Sequence, residues 1–329
     1  MAPGLIERYR ERLPIGPDDP VVSLNEGSTP LIPAPRLSER IGITAYLKFE
    51  GLNPTGSFKD RGMTVAVSRA LAEGAEAVIC ASTGNTAASA AAYAARAGLA
   101  AVILQPAGAV ALGKLAQARA VGARVLEVRG SFDQALAAAR ELGRRGTHVL
   151  VNSVNPYRIQ GQKTAAFEIA EALGGPPDVL ALPYGGGGNT SAYAQALGEL
   201  GLATPLVSVE AADRRGTLAS AIRIGEPVHA ADVAAAGARV VTVDDAEIVE
   251  AWRELAALEG LFCEPSSAAG LAAIRRGDVA GERLVVTITG HGLKDAETAA
   301  RHAPPVVEVD ADPGAIAAAS LREAARRPS

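Results

Sequence analysis

Short β-branched runs alternate along most of the chain with longer, alanine-rich amphipathic stretches. That alternation constrains the fold more than any other feature, because it is the pattern of parallel βα units. Strands are expected at residues 45–49, 76–81, 100–104, 123–128, 148–151, 178–183, 205–210 and 283–289. Helical spacing occupies 63–73, 86–97, 113–121, 133–145, 159–173, 190–200, 246–259 and 266–275. Runs such as Val78-Ile79 and Val102-Ile103-Leu104 are apolar without interruption, as strands covered by helices on both faces must be. A last helix is expected over 313–327, opened by Asp312-Pro313 and ending in Arg326-Arg327. The units fall into two clusters, divided near residue 148.

Composition removes several function classes. The 329 residues are 48% hydrophobic and 21% charged, enough to bury a large core and unlike a disordered chain. A formal net charge of -4 gives no basic footprint for nucleic acid or an anionic membrane. No apolar run approaches the ~20 residues that span a bilayer. The start, Met1-Ala2-Pro3-Gly4-Leu5-Ile6-Glu7-Arg8, lacks the apolar stretch of a signal peptide, so a cytoplasmic protein is expected. Cys80 and Cys263 are the only cysteines, and no histidine sits at ligand spacing from another ligand, so no metal site is expected.

In open α/β sheets ligands bind beyond the carboxyl ends of strands. Four expected strand exits are polar or glycine-rich: Ser82-Thr83-Gly84-Asn85-Thr86, Asn152-Ser153-Val154-Asn155, Gly185-Gly186-Gly187-Gly188-Asn189-Thr190 and Thr289-Gly290-His291-Gly292. The glycine run precedes a helix, so its backbone N–H groups can converge on an anion, although a flexible turn has the same composition. The 82–86 loop reads equally as a helix cap or a ligand contact. A fifth segment, Asn53-Pro54-Thr55-Gly56-Ser57-Phe58-Lys59-Asp60-Arg61-Gly62, sets one lysine between a turn and an apolar helix. Lys59 is either a solvated surface lysine or a nucleophile for a carbonyl cofactor.

Together these segments resemble the threonine synthases, within the tryptophan synthase β-like (fold type II) group of pyridoxal-phosphate enzymes. The likeness runs from Glu26-Gly27-Ser28-Thr29-Pro30-Leu31 to Thr289-Gly290-His291-Gly292-Leu293-Lys294-Asp295. The lysine and 82–86 motifs identify only the group. Three stretches narrow it: Asn152-Ser153-Val154-Asn155-Pro156-Tyr157-Arg158-Ile159-Gln160-Gly161-Gln162-Lys163-Thr164, then Ala221-Ile222-Arg223-Ile224-Gly225 with Cys263-Glu264-Pro265-Ser266-Ser267-Ala268-Ala269, and the 289–295 stretch. The resemblance implies an α/β fold of two open, twisted, mostly parallel sheets flanked by helices. Residues 1–50 and 148–329 would form a larger cofactor-binding domain, and 51–147 a smaller, mobile one.

The resemblance also implies pyridoxal 5'-phosphate as cofactor. Lys59 would carry it as a Schiff base and move protons, Asn85 would meet its 3′-oxygen, and Thr289 its ring nitrogen. Gly185, Gly186, Gly187, Gly188 and Asn189 would hold its phosphate. O-Phospho-L-homoserine is the implied substrate, its phosphate lined by Ser82, Thr83, Thr86, Asn152, Ser153 and Arg158, and a homodimer is the implied assembly. Two positions depart from the family pattern: Gly186 stands where asparagine is usual, and Ala109 where lysine is usual. The rival reading is a related lyase or β-replacement enzyme acting on serine, threonine or O-phosphoserine. A catalytically silent cofactor-binding protein is the third.

Overall fold

A computed structural model describes residues 3–108, 112–146, 148–279 and 281–322. Ten strands are present among them: β1 Leu31–Pro33, β2 Thr44–Phe49, β3 Ala77–Ala81, β4 Ala100–Pro106, β5 Arg124–Val128, β6 Val149–Leu150, β7 Val179–Pro183, β8 Leu206–Ala211, β9 Arg239–Val243 and β10 Arg283–Ile288. They form a six-stranded sheet ordered β1-β2-β10-β7-β8-β9 and a four-stranded sheet ordered β5-β4-β3-β6. Every pairing is parallel except β1 with β2. Two mostly parallel sheets flanked by helices are therefore what the sequence pattern and the family resemblance anticipated.

Period-two burial explains the layering. In β7, Val179 and Ala181 enter one hydrophobic cluster while Leu180 and Leu182 enter another. In β3, Val78 and Cys80 face one cluster and Ile79 and Ala81 the opposite one. Both faces of each sheet are thus covered, which the unbroken apolar runs require. β6 pairs with β3 through Val78↔Val149 and Ile79↔Leu150, which carries the four-stranded sheet past residue 147.

Several elements differ from expectation. The helix expected from residue 63 starts at Lys59 and runs to Ala72. The helix expected over 159–173 is two, Pro156–Gln162 and Thr164–Leu173, meeting at Lys163. There the Thr164 hydroxyl donates to Gly161 O at 2.7 Å and competes with the helical ladder. The 266–275 helix begins as a 3-10 turn, Pro265–Ala268, and continues as Ala269–Arg275. β1 and β9 were not expected. The final helix is Pro313–Arg322, and the rest of its expected span lies outside the described residues.

One crossing fixes the position of the polar loops. The Lys59–Ala72 helix packs on the Pro156–Gln162 helix, backbone against backbone. A Cβ on Gly62 would lie 2.7 Å from Arg158 O, and one on Gly161 would collide with Arg61 O. Only glycine on both sides permits that approach.

Candidate active site

The polar segments gather at the carboxyl ends of strands from both sheets. β2 leads to the 53–58 turn and Lys59, β7 to the glycine loop, and β10 to Thr289. β3 leads to Ser82 through Asn85, and β6 to Asn152 through Arg158. Phe58 N donates to Thr289 O at 3.0 Å, and Ser57 bridges Gly290, so the lysine turn is pinned to the end of β10. Asp60 shapes that turn by accepting from Thr55 N at 2.7 Å and from Thr55 Oγ1 at 2.5 Å. It also accepts from Ser89 Oγ at 2.6 Å, which ties the turn to the helix headed by Asn85.

Lys59 is the first residue of its helix, and its Nζ lies 4.1 Å from the Phe58 ring centroid. Burial, with the Arg158 charge adding, brings its amine down to about 7, and Glu264 opposes the shift. A helix N-terminus also disfavours an ammonium. The residue as a whole is half-buried, while its amine is desolvated. That is the condition of a nucleophilic amine rather than of a solvated lysine.

Arg158 is 1% exposed, and its Nη1 donates to Val151 O at 3.2 Å. Among the described residues its Nε and Nη2 have no partner. Burial lowers its pKa to about 10. A buried guanidinium with free donors lacks the anion that would offset its desolvation.

The glycine loop shows a matching deficit. Gly187 caps the Gly188–Leu200 helix at φ 86°, a left-handed conformation suited to glycine. Asn189, in the first turn, is buried with Nδ2 unpaired. A Cβ at Gly186 would meet nothing nearer than Ile224 Cδ1 at 3.6 Å. Ala109, the other departure from the family pattern, lies outside the described residues.

The remaining expected residues are less uniform. Ser82, Thr83 and Thr86 are half-buried, and Ser82 Oγ accepts from Gly84 N at 3.2 Å. Asn152 is engaged with backbone: its Oδ1 accepts from Ala81 N at 3.0 Å, and its Nδ2 donates to Ala81 O at 2.9 Å. That amide prolongs the β3–β6 pairing. Ser153 O lies 2.9 Å from His229 Nε2, while His229 N donates to Gly186 O at 3.0 Å. His229 therefore joins the 152–155 loop to the glycine loop, a link the sequence did not reveal. His291 is a turn cap, its Nδ1 accepting from Leu293 N at 3.2 Å.

Two further residues went unassigned. Glu264 reaches Asn85, and Ser267 reaches Thr289, with hydrogen-bond distances of 3.1 and 2.9 Å. A carboxylate set between Cys263 and Pro265 in an apolar run was the available signal. A cavity of about 590 Å³ opens beside Asn85, bordered by Gln117, His291 and Lys294, whereas Lys59 and the glycine loop do not line it. The set fits a phosphorylated pyridine aldehyde: a desolvated amine, an unpaired amide at a helix N-terminus, and Asn85 and Thr289 as polar ring contacts.

Comparison with known proteins agrees with this chemistry. Residues 22–290 match the sequence family described as pyridoxal-phosphate dependent enzyme. The threonine synthase of Mycobacterium tuberculosis (strain ATCC 25618 / H37Rv) is 50% identical, over 95% of this chain and 95% of its own. That of Methanocaldococcus jannaschii is 43% identical, over 93% of this chain and 84% of its own. Among solved structures, the threonine deaminase of T.th. superposes with a TM-score of 0.74 at 27% identity, covering 88% of this chain and 98% of that one. Maize serine racemase superposes with a TM-score of 0.75 at 21% identity over 99% of both chains, a likeness of fold alone.

Proposed function

The chain belongs to the pyridoxal-phosphate dependent enzymes, and on that premise we propose that it is a threonine synthase, converting O-phospho-L-homoserine and water to L-threonine and phosphate. The observation that carries the substrate is Arg158, a buried guanidinium with two unpaired nitrogens beside Lys59. Serine and threonine bring only the α-carboxylate that every candidate substrate shares, whereas a phosphate ester adds a second anion, with geometry suited to a guanidinium.

The residues divide the work. Bound pyridoxal phosphate supplies the electron sink that stabilises negative charge next to the substrate's amino-bearing carbon. Lys59 anchors it, and with an amine near 7 is substantially neutral at physiological pH. A neutral amine can take the proton from Cα; only once it has handed that proton on would it be free to take one from Cβ, and it could return one to carbon after water has added. Asn189, Gly185, Gly186, Gly187 and Gly188 hold the cofactor phosphate at a helix N-terminus. Asn85 and Thr289 face the ring. Arg158, with Ser82, Thr83, Thr86 and Ser153, holds the ester phosphate while it leaves and afterwards. Asn152 acts at one remove, by fixing the strand ends from which Ser82 and Ser153 emerge.

The same reading takes residues 1–50 and 148–329 as the larger domain, apart from β6, which belongs to the smaller sheet, 51–147 as the smaller mobile one, and a homodimer in the cytoplasm. Among the described residues no helix is long and apolar enough to cross a membrane.

The test offers phosphohomoserine, phosphoserine, serine and threonine in parallel. Equimolar threonine and phosphate from phosphohomoserine is the expected result. Keto acid from serine or threonine as the main product moves the chain to the dehydratase reading. Arg158→Ala should raise KM for phosphohomoserine at least ~10-fold, the effect of losing one charge-assisted bond, while the cofactor stays bound.

A further inference from the structure

Asn85 and Thr289 come from different sheets, one after β3 and the other after β10, yet a single short segment holds both. Glu264 directly precedes the Pro265–Ala268 turn, and each of its carboxylate oxygens lies 3.1 Å from Asn85 Nδ2. Ser267, inside the turn, lies 2.9 Å from Thr289 Oγ1 and accepts from Gly290 N at 3.0 Å. Glu264 N donates to Gly290 O at 3.1 Å, and Ser267 N to Glu264 O at 2.9 Å, so the segment is locked to the end of β10.

The chemistry of the partners sets the direction of each bond. A carboxylate only accepts, so the end of the Asn85 amide that faces Glu264 is its NH2. One N–H is used there and a second remains. Ser267 Oγ accepts from Gly290 N, and the nearest acceptor for its own proton is Thr289 Oγ1. With the bond made in that direction, Thr289 has its own proton free to give. The alternative acceptor for Ser267, Gly290 O, is farther away at 3.4 Å.

We propose that the 264–267 segment is a positioning device that presents both Asn85 and Thr289 as hydrogen-bond donors to the pyridoxal phosphate ring, Glu264 acting on the first and Ser267 on the second. The inference rests on the cofactor reading above. A phenolate oxygen and an unprotonated ring nitrogen both accept, so both ring contacts must donate. A reversed Asn85 amide would set oxygen against oxygen, and a Thr289 hydroxyl turned toward Ser267 would offer the ring only lone pairs. Glu264 is 3% exposed and Ser267 fully buried, which keeps water from substituting for either.

Stability does not account for Glu264. It makes no salt bridge among the described residues, and burial pushes its carboxyl up, against the Asn85 bond and the charges of Lys294 and Lys59. Such a carboxylate costs folding free energy, and a cost of that kind at a site is a mark of function.

The experiment titrates apoenzyme with pyridoxal phosphate, reading the visible band of the lysine-bound cofactor and its variation with pH. Apoenzyme melting is followed alongside. Glu264→Ala should bind the cofactor about tenfold more weakly with a displaced band, the effect of one lost bond. Glu264→Gln keeps an acceptor for Asn85 and should stay within about threefold of wild type. Ser267→Ala should also lose about tenfold and change the pH response of the band, because the ring-nitrogen contact is altered. Wild-type affinity and spectrum in a folded Glu264→Ala overturns the proposal, as does wild-type behaviour in Ser267→Ala if Glu264→Ala fails to fold. Borohydride fixation on Lys59 of the wild type tests the cofactor reading itself. Its failure overturns both, whereas fixation with unresponsive variants overturns the positioning role alone.

Discussion

Among the described residues two arginines are fully buried, and they are opposites. Arg61 donates to Glu50 Oε2 at 2.6 Å and Oε1 at 2.8 Å, and to Glu168 Oε1 at 2.8 Å and Oε2 at 2.7 Å. It reaches Thr29 Oγ1 and Thr164 Oγ1 as well, and Lys48 completes the group through Glu168 at 2.6 Å. Although burial works against the charged form, Glu168 and Glu50 hold the Arg61 guanidinium well above its ordinary pKa. Arg158 has one carbonyl, and burial lowers it. Burial alone therefore says nothing about role. The paired cation is part of the framework, and the unpaired one keeps two donors for the anion that the proposed function assigns to it.

Stability should separate them most. Arg61→Met leaves Glu50 buried without a cation and Glu168 with Lys48 alone, and should lower unfolding free energy by about 3–5 kcal/mol in denaturant titration. Arg158→Met removes a charge with no ion pair, so stability should change by no more than about 1 kcal/mol or rise. Equal losses in the two variants would break the distinction. A second measurement sharpens it. Inorganic phosphate at a hundredfold excess over its Kd should stabilise the cofactor-loaded wild type by about 2.7 kcal/mol, and Arg158→Met not at all.

A smaller effect appears in pH. Lys59 titrates near 7, so capture of pyridoxal phosphate by the apoenzyme should accelerate as pH rises through that value, far below the 10.5 of an ordinary lysine. Arg158 contributes to that depression, so Arg158→Met should move the midpoint upward. An unmoved midpoint would mean that the two groups do not sense each other. Smallest is Gly186→Asn. The position has room, and an added amide should lower KM for phosphohomoserine by up to about tenfold. Misfolding would show that four glycines are a requirement of the loop.

The distinction between the arginines was not legible in the sequence. Arg61 follows Lys59 by two residues, and its partners Glu50 and Glu168 come from a loop and a distant helix. Central strands such as β3 and β7 announced themselves because burial on both faces leaves an unbroken apolar run. β9 is an edge strand that buries only Val241 and Val243 firmly, and β1 is three residues long, so neither leaves a comparable signal. Lys59, the glycine loop and Thr289 lie in turn and strand-exit segments whose composition is a local signal, and the structure brings those segments to the strand ends. Asn152 was singled out correctly as a polar strand exit, yet its amide serves backbone. Glu264 and His229 act across the sheets, where only the folded chain brings partners together.

The Gly62–Gly161 crossing has a consequence for selectivity. Lys59 and Arg158 stand on helices whose main-chain atoms meet at Gly62 and Gly161. On the function proposed above, that fixed spacing would act as a ruler laid along the substrate, from the carbon that loses its proton to the ester that departs. A phosphoester one methylene shorter, seated by its phosphate, would hold its reacting carbon off the mark. Discrimination by length then needs no residue that recognises the missing methylene.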